Sequence, residues 1–258
     1  MDKIFFTKAI TRLPGEDFAN GLTTSGLGLP DLSLAVNQHT EYISALKRLN
    51  IDVDVLPPLS GMPDACFVED TAIVTEETAV ITHPGAVSRT GETDSISAVL
   101  SQYKSVRRIN GKGATIDGGD VLLVGDTFFV GISNRTNRAG MDEFAAILTP
   151  YNRYKFVPVE VADGLHLKSG VTQIAPYKLF ITKELADNPA FTPYKKVIVP
   201  DGEEYAANTL LINGTLLMSG GFPKSAQVCK DEGCKVIVLN MSEYRKMDGA
   251  LTCLSLRF

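Results

Sequence analysis

The chain has 258 residues, 44% apolar and 21% charged, with a formal net charge of -5. That is an ordinary globular composition with enough chain for a substantial core, and its acidity, with no Lys/Arg run beyond pairs such as Arg107-Arg108, excludes a nucleic-acid partner. No stretch approaches the roughly 20 apolar residues of a membrane span, and MDKIFFTKAITRLPGED lacks the apolar core of an export signal, so a cytoplasmic protein is expected.

Taken in chain order, KIFFTKAI opens as a strand, and an amphipathic helix follows between Pro30 and Asn50. Asp31 can cap that helix, and Leu32, Ala35, Val36, Tyr42, Ile43 and Leu46 approximate one face. It leads into the strand IDVDVL, which Pro57-Pro58 stops. Four segments then share one pattern: TAIVTEETAVIT (71–82), DVLLVGDTFFVG (120–131), VTQIAPYKLFIT (171–182) and NTLLINGTLLMS (208–219). Each is a β-branched-rich run, a short polar turn and a second such run. Gly125-Asp126 and Asn213-Gly214 are strong two-residue hairpin signals.

A helical stretch and another short strand follow each hairpin: Glu92 to Lys104 leads to SVRRI, Asn137 to Leu148 to YKFVPVEV, and Lys224 to Glu232 to CKVIVLN. The third unit is poorer, because DNPAFTPY carries two prolines and can hold little helix. The ends supply a fifth, split unit, with ALTCLSLRF as a strand pairing back to the N-terminal one. The expectation is an α/β protein, a five-module ββαβ propeller whose ring is closed by the N- and C-terminal strands, in one domain over 1–258. No Gly/Ser/Pro-rich linker divides it. A flexible lid is expected within GEDFANGLTTSGLGLP (15–30).

Polar residues intrude at one phase of this repeat. CFVED (66–70) precedes the first hairpin, IDGGD (116–120) opens the second, GLHLKS (164–169) precedes the third, AAN (206–208) the fourth, and LTC (251–253) lies in the fifth. Singly, a Cys in an apolar strand or a His beside leucines reads as core, and acids around glycines read as a turn. Together at the inner end of each module they mark a central site. The four cysteines (Cys66, Cys229, Cys234, Cys253) form no Cys-x-x-Cys pair and read as free thiols, and the three histidines lie too far apart for ligand spacing, so no metal is expected. GKGATIDGG lacks the Gly-Lys-Ser/Thr ending of a nucleotide-binding loop.

The ordered set GLTTS (21–25), PDACFVED (63–70), SRTGE (88–92), DGGDVL (117–122), RTN (135–137), DGLHLKSG (163–170), SEYRKMDG (242–249) and CLSLRF spans essentially the whole chain. In these motifs the chain resembles the dimethylarginine dimethylaminohydrolases, guanidino-modifying enzymes of the pentein fold. The resemblance implies the same five-fold propeller. It also implies Cys253 as nucleophile, His166 as acid/base, and Asp117 as the acid that accompanies the histidine. Asp64, Glu69 and Asp70 fall at its acidic substrate contacts, and Arg89 and Arg135 at its cations for the substrate carboxylate. Leu22 and Met247 fall at positions that meet substrate largely through backbone.

This chemistry suits those groups. A resonance-stabilised guanidinium carbon calls for a nucleophile better than a hydroxyl, and a thiolate is one. Carboxylates accept in pairs from the fixed N–H donors of a guanidinium, and Arg matches a carboxylate better than Lys does. The expected reaction is hydrolysis of Nω,Nω-dimethyl-L-arginine or Nω-monomethyl-L-arginine to citrulline and an amine, through a covalent S-alkylthiouronium, with no cofactor. The competing readings are an arginine or agmatine deiminase or a citrulline hydrolase of the same fold, and a non-catalytic binder of guanidino amino acids. Two arginines for one carboxylate disfavour agmatine, and a binder would not need the thiol. Oligomeric state, a homodimer included, is left open.

Overall fold

The computed structural model describes residues 5–161 and 166–258. Asp163, Gly164 and Leu165 of the DGLHLKSG motif, and the first residues of the N-terminal strand expected over 3–10, lie outside them. The chain runs through β1 (Lys8–Arg12), α1 (Leu32–Arg48) and β2 (Asp52–Leu56), then β3 (Ala72–Val74), β4 (Thr78–Ile81), α2 (Thr93–Leu100) and β5 (Ser105–Arg108). Next come β6 (Val121–Val124), β7 (Thr127–Ile132), α3 (Arg138–Leu148) and β8 (Lys155–Glu160). The third module holds α4 (Leu167–Gly170), β9 (Val171–Ala175), β10 (Lys178–Ile181), α5 (Lys183–Ala186) and β11 (Lys195–Ile198). The chain closes with β12 (Leu210–Ile212), β13 (Thr215–Ser219), α6 (Pro223–Asp231), β14 (Lys235–Leu239), α7 (Ser242–Arg245) and β15 (Leu256–Arg257).

These strands form five three-stranded sheets of one design, in which the middle strand pairs antiparallel with the inner one and parallel with the outer one. The antiparallel pair is the hairpin, and the parallel pair requires the crossover that the helix supplies. Asn213 and Gly214 take φ of +47° and +83°, the left-handed pair that a tight hairpin demands. In the fifth sheet the two ends of the chain meet: β15 pairs antiparallel with β1, and β1 parallel with β2.

α1 begins as expected, with the Asp31 carboxylate accepting from Leu34 N at 2.8 Å. Its buried face is Ala35, Gln38, His39, Tyr42, Ala45 and Leu46, which packs on Phe18, Leu217, Tyr244 and Met247. Leu32, Val36 and Ile43 sit at the rim of that face. The third module, limited by its prolines, keeps only the one-turn α5 between β10 and β11.

The last strand differs from the sequence expectation. ALTCLSLRF is strand only over Leu256–Arg257, and Cys253 lies before it on a 3₁₀ turn, Thr252–Leu254. The same device opens the other modules. FVED enters through a turn at Val68–Thr71, DGGD through Gly118–Asp120, AAN through Glu204–Ala207, and His166 is the N-cap residue of α4. Chemistry-bearing residues thus sit on short helical turns at the inner edge of each sheet, off the ladders. A turn presents side chains and backbone N–H groups in several directions, whereas a strand must alternate faces. Neighbouring turns touch around the axis, and Asn208 and Thr252 join the fourth to the fifth through two hydrogen bonds.

Candidate active site

Close packing at the axis explains the glycines of DGGD. A Cβ on Gly118 would lie 1.9 Å from the Glu69 carbonyl oxygen, and one on Gly119 2.6 Å from His166 Nδ1 and 2.8 Å from Asp70 Oδ1. Only bare backbone lets the second module approach the acids of the first and the histidine of the third.

His166, Asp70 and Asp117 converge. His166 Nε2 is 3.1 Å from Asp117 Oδ2, and its Nδ1 is 4.0 Å from Asp70 Oδ1. Asp117 is fully buried; its Oδ1 accepts from Gly85 N, and its own N–H donates to Thr136 Oγ1. Asp70 Oδ1 accepts from Gly119 N at 2.8 Å, and Oδ2 pairs with Arg89 Nη1. Burial alone would lower the His166 pKa, but Asp70, Asp117 and Asp120 outweigh it and raise it to about 9. His166 is therefore an imidazolium at neutral pH. Asp70 is held at about 2: burial raises it, and the charges of His166 and Arg89 pull it back down.

Cys253 is half-buried, and its thiol is pushed up to about 12, first by burial and then by the negative charges of Glu69 and Asp70. At rest it is a neutral thiol. Asp70 is thus common to both reactive groups, 4.0 Å from the His166 ring and acting on the Cys253 thiol.

The remaining expected residues divide in two. Asp64 accepts from Leu22 N through both oxygens at 3.1 Å, and a Cβ on Gly21 would meet Asp64 Oδ1 and Met247 Cε, so Leu22, Asp64 and Met247 form one corner. The expected lid folds over it. Thr23 Oγ1 and Ser25 Oγ donate to the Lys246 carbonyl, and Thr24 N and Oγ1 donate to Asp248 Oδ2. Arg135 is a third exposed, with Nη1 4.0 Å from Asp117.

Two of the expected residues have buried protein partners of their own. Arg89, expected to face a carboxylate, is buried; it pairs with Asp70 and Glu92 and donates to the Asp64 and Phe67 carbonyls. A cation this close to two buried acids is held firmly in place by them. Glu69, expected to touch substrate, is also buried. Its Oε1 pairs with Lys168 at 2.6 Å and Arg257 at 2.8 Å, and its Oε2 accepts from Thr252 Oγ1 at 2.7 Å.

Sequence reasoning missed Lys168, Arg257, Thr252 and Glu92. Only Glu92 left a signal, three residues after Arg89, the spacing of an ion pair on one helical turn. Asp120, the last acid of IDGGD, is fully buried; its Oδ1 accepts from Leu167 N and its Oδ2 from Ser133 Oγ, so it fixes the backbone beside His166. Among the described residues, Asp70, Asp117 and His166 are the one trio with metal-ligand spacing, their donor atoms within 4.8 Å of one another. A protonated His166 and an Arg89-paired Asp70 make a poor donor set for a metal ion.

Comparison with known proteins gives the family. A family model described as N,N dimethylarginine dimethylhydrolase, eukaryotic, matches residues 31–189. The N(G),N(G)-dimethylarginine dimethylaminohydrolase of Pseudomonas aeruginosa is 38% identical over 98% of this chain and 100% of its own length. The enzyme of that name from Streptomyces coelicolor is 35% identical over 97% and 96%. A crystal structure of a mutant of the Pseudomonas enzyme in complex with citrulline superposes with a TM-score of 0.96, covering 99% of this chain and 100% of that one at 37% identity. The N-terminal domain of a cyanobacterial arginine dihydrolase, at 20% identity and a TM-score of 0.85, shares the fold alone. With a family model over most of its length and full-length relatives above 30% identity, the chain belongs to the dimethylarginine dimethylaminohydrolase family.

Proposed function

We propose that the protein hydrolyses Nω,Nω-dimethyl-L-arginine, and its monomethyl counterpart, to L-citrulline and dimethylamine or methylamine. The observation that carries this reading is an imidazolium, His166, bracketed by Asp70 and Asp117, with a neutral Cys253 thiol under the influence of the same Asp70. An acid already protonated suits departure of an amine, and a thiol held neutral by nearby anions is released by an incoming cation. The substrate guanidinium is that cation. Bound against Asp70 and Asp117, whose oxygens keep lone pairs free, it offsets the charge that holds the thiol protonated.

Cys253 loses its thiol proton to solvent as the cationic substrate binds, then attacks the guanidinium carbon, and the C–N bond to the methylated nitrogen breaks as His166 donates its proton to that nitrogen. The amine leaves, and an S-alkylthiouronium remains on Cys253. His166, now neutral, takes a proton from water as the water adds to the same carbon, and collapse expels the Cys253 thiolate with citrulline. Proton transfer of this kind contributes ~10²–10⁴-fold. Arg135 binds the substrate carboxylate, while Asp64 with the backbone at Leu22 and Met247 holds the α-ammonium. Arg89, which also fixes Asp70, joins Arg135 at the carboxylate, and Glu69 lies at the acidic substrate contacts while holding the Cys253 turn. The chain works as one domain in the cytoplasm; its four free cysteines suit a reducing compartment.

Citrulline release from dimethylarginine, run beside arginine and agmatine with Cys253→Ser as control, tests the reading. Turnover of the methylated substrate that is lost in the variant supports it. Preference for arginine or agmatine makes the protein a deiminase, and tight binding without turnover makes it a binder.

A further inference from the structure

We propose that Lys168 is a positioning residue: through Glu69 it ties the turn that carries His166 to the turn that carries Cys253. The inference rests on the catalytic pair assigned above. His166 caps α4, and Lys168 lies on that same turn two residues on, its side chain only 10% exposed. Its ammonium meets Glu69 Oε1 at 2.6 Å, and the other oxygen of Glu69 accepts from Thr252, the residue before the nucleophile, at 2.7 Å.

Thr252 is held at each of its other polar groups as well. Its N–H donates to Asn208 Oδ1, its Oγ1 accepts from Asn208 Nδ2, and its carbonyl accepts from Arg257 Nη1. Four modules distant in sequence meet in this one network, and the tie from Lys168 to Thr252 ends within two residues of each reacting side chain.

Charge balance shows that Lys168 is not needed merely to neutralise Glu69. Arg257 already pairs with that carboxylate at 2.8 Å, so the cluster carries one cation more than it has anions. A buried ion pair is also a weak source of stability against an apolar substitute of the same shape. A surplus cation beside a thiol favours the thiolate, and Lys168 acts on Cys253 in that sense. Lys168 therefore sets both the distance between nucleophile and acid and part of the field at the sulfur.

The test compares Lys168→Met, Lys168→Arg and the near-isosteric Thr252→Val in the full chain. It reads kcat and KM for dimethylarginine, the thermal midpoint, and the rate of Cys253 alkylation by iodoacetamide at a fixed alkaline pH. Misplacement of reacting groups by about 1 Å costs on the order of 10²-fold, so Lys168→Met loses about that much kcat with little change in KM, and Lys168→Arg recovers most of it. Alkylation slows in Lys168→Met and is unchanged in Thr252→Val. The double variant loses no more kcat than the worse single one, because both cut the same tie.

Wild-type kcat in Lys168→Met, or losses that multiply in the double variant, overturns the proposal. Should Lys168→Met not fold, Thr252→Val decides, and wild-type kcat there overturns it. A wild-type protein that turns over no methylarginine sinks the assigned function instead, an outcome separate from these.

Discussion

His39 and His166 are both enclosed by the fold, yet their surroundings drive them in opposite directions. His39, on α1, is fully buried between Tyr42 and Tyr244, and among the described residues neither ring nitrogen has a hydrogen-bond partner. With burial as the only influence, its pKa falls to about 4. His166 is drawn from solution as well, but three carboxylates face it, and its pKa climbs to about 9. Enclosure disfavours the charged ring in both places, and charges within a few ångströms decide whether that penalty stands. The core histidine is kept neutral and inert, while the axial one is kept charged and ready to give its proton away.

The sharpest way to break this contrast is to remove the axial ring. His166→Asn keeps a polar group but no transferable proton, and kcat for methylarginine falls on the order of 10³-fold or more in steady-state assays. Retention of even a tenth of wild-type kcat would place the leaving-group acid elsewhere. A smaller change sharpens it. Asp70→Asn removes the anion that does most to raise His166, so the His166 pKa falls toward its ordinary value.

Because His166 acts as the protonated form, activity in the wild type holds below about pH 9 and fades as pH rises through it. In Asp70→Asn that alkaline limb moves to lower pH, and kcat drops about 10²-fold with the loss of a preorganised charge. An unmoved limb would show that another group sets it. The linkage to stability has the same sign. A pKa raised on folding stabilises the native state fully below about 6.5, and that contribution is lost as pH climbs through about 9.

Much of this was legible before any coordinates. The Asn213-Gly214 turn forces a hairpin wherever it sits, so the four repeated pairs of runs and their crossovers were readable from local chemistry. Cys253, His166, Asp70 and Asp117 stood out because polar residues recurred at one phase of an apolar repeat. Lys168, Arg257 and Thr252 did not, since their roles exist only where Glu69, 99 residues before Lys168 and 183 before Thr252, arrives at the same axis. A basic residue near a chain end looks like surface charge, and nothing local distinguishes a buried one. Arg89 has a second side that sequence did not show: its protein neighbours Asp70 and Glu92 take most of its donors. On α1, periodicity found the face, and hydrophobicity then misjudged who occupied it, because Gln38 and His39 are tolerated inside where Leu32 and Val36 reach only the rim.

The smallest effect, and the one that isolates burial from charge, belongs to His39→Leu. An imidazole with both nitrogens buried and unpaired forgoes its hydrogen bonds to water, a penalty of about 1–3 kcal/mol that an apolar side chain of similar volume does not incur. His39→Leu is therefore slightly more stable than the parent at neutral pH, with activity unchanged, since His39 packs on Tyr42 and Tyr244 and reaches none of the catalytic groups. The gap widens with acid. A histidine whose folded pKa is depressed to about 4 lends full stability above about 6.5 and loses it as pH falls toward 4, because the unfolded chain takes up the proton first. The thermal midpoint of the parent should thus drop further between pH 7.5 and pH 5 than that of His39→Leu. Equal drops would mean that water or a shifted α1 already satisfies the ring, and that His39 is less isolated than its packing shows.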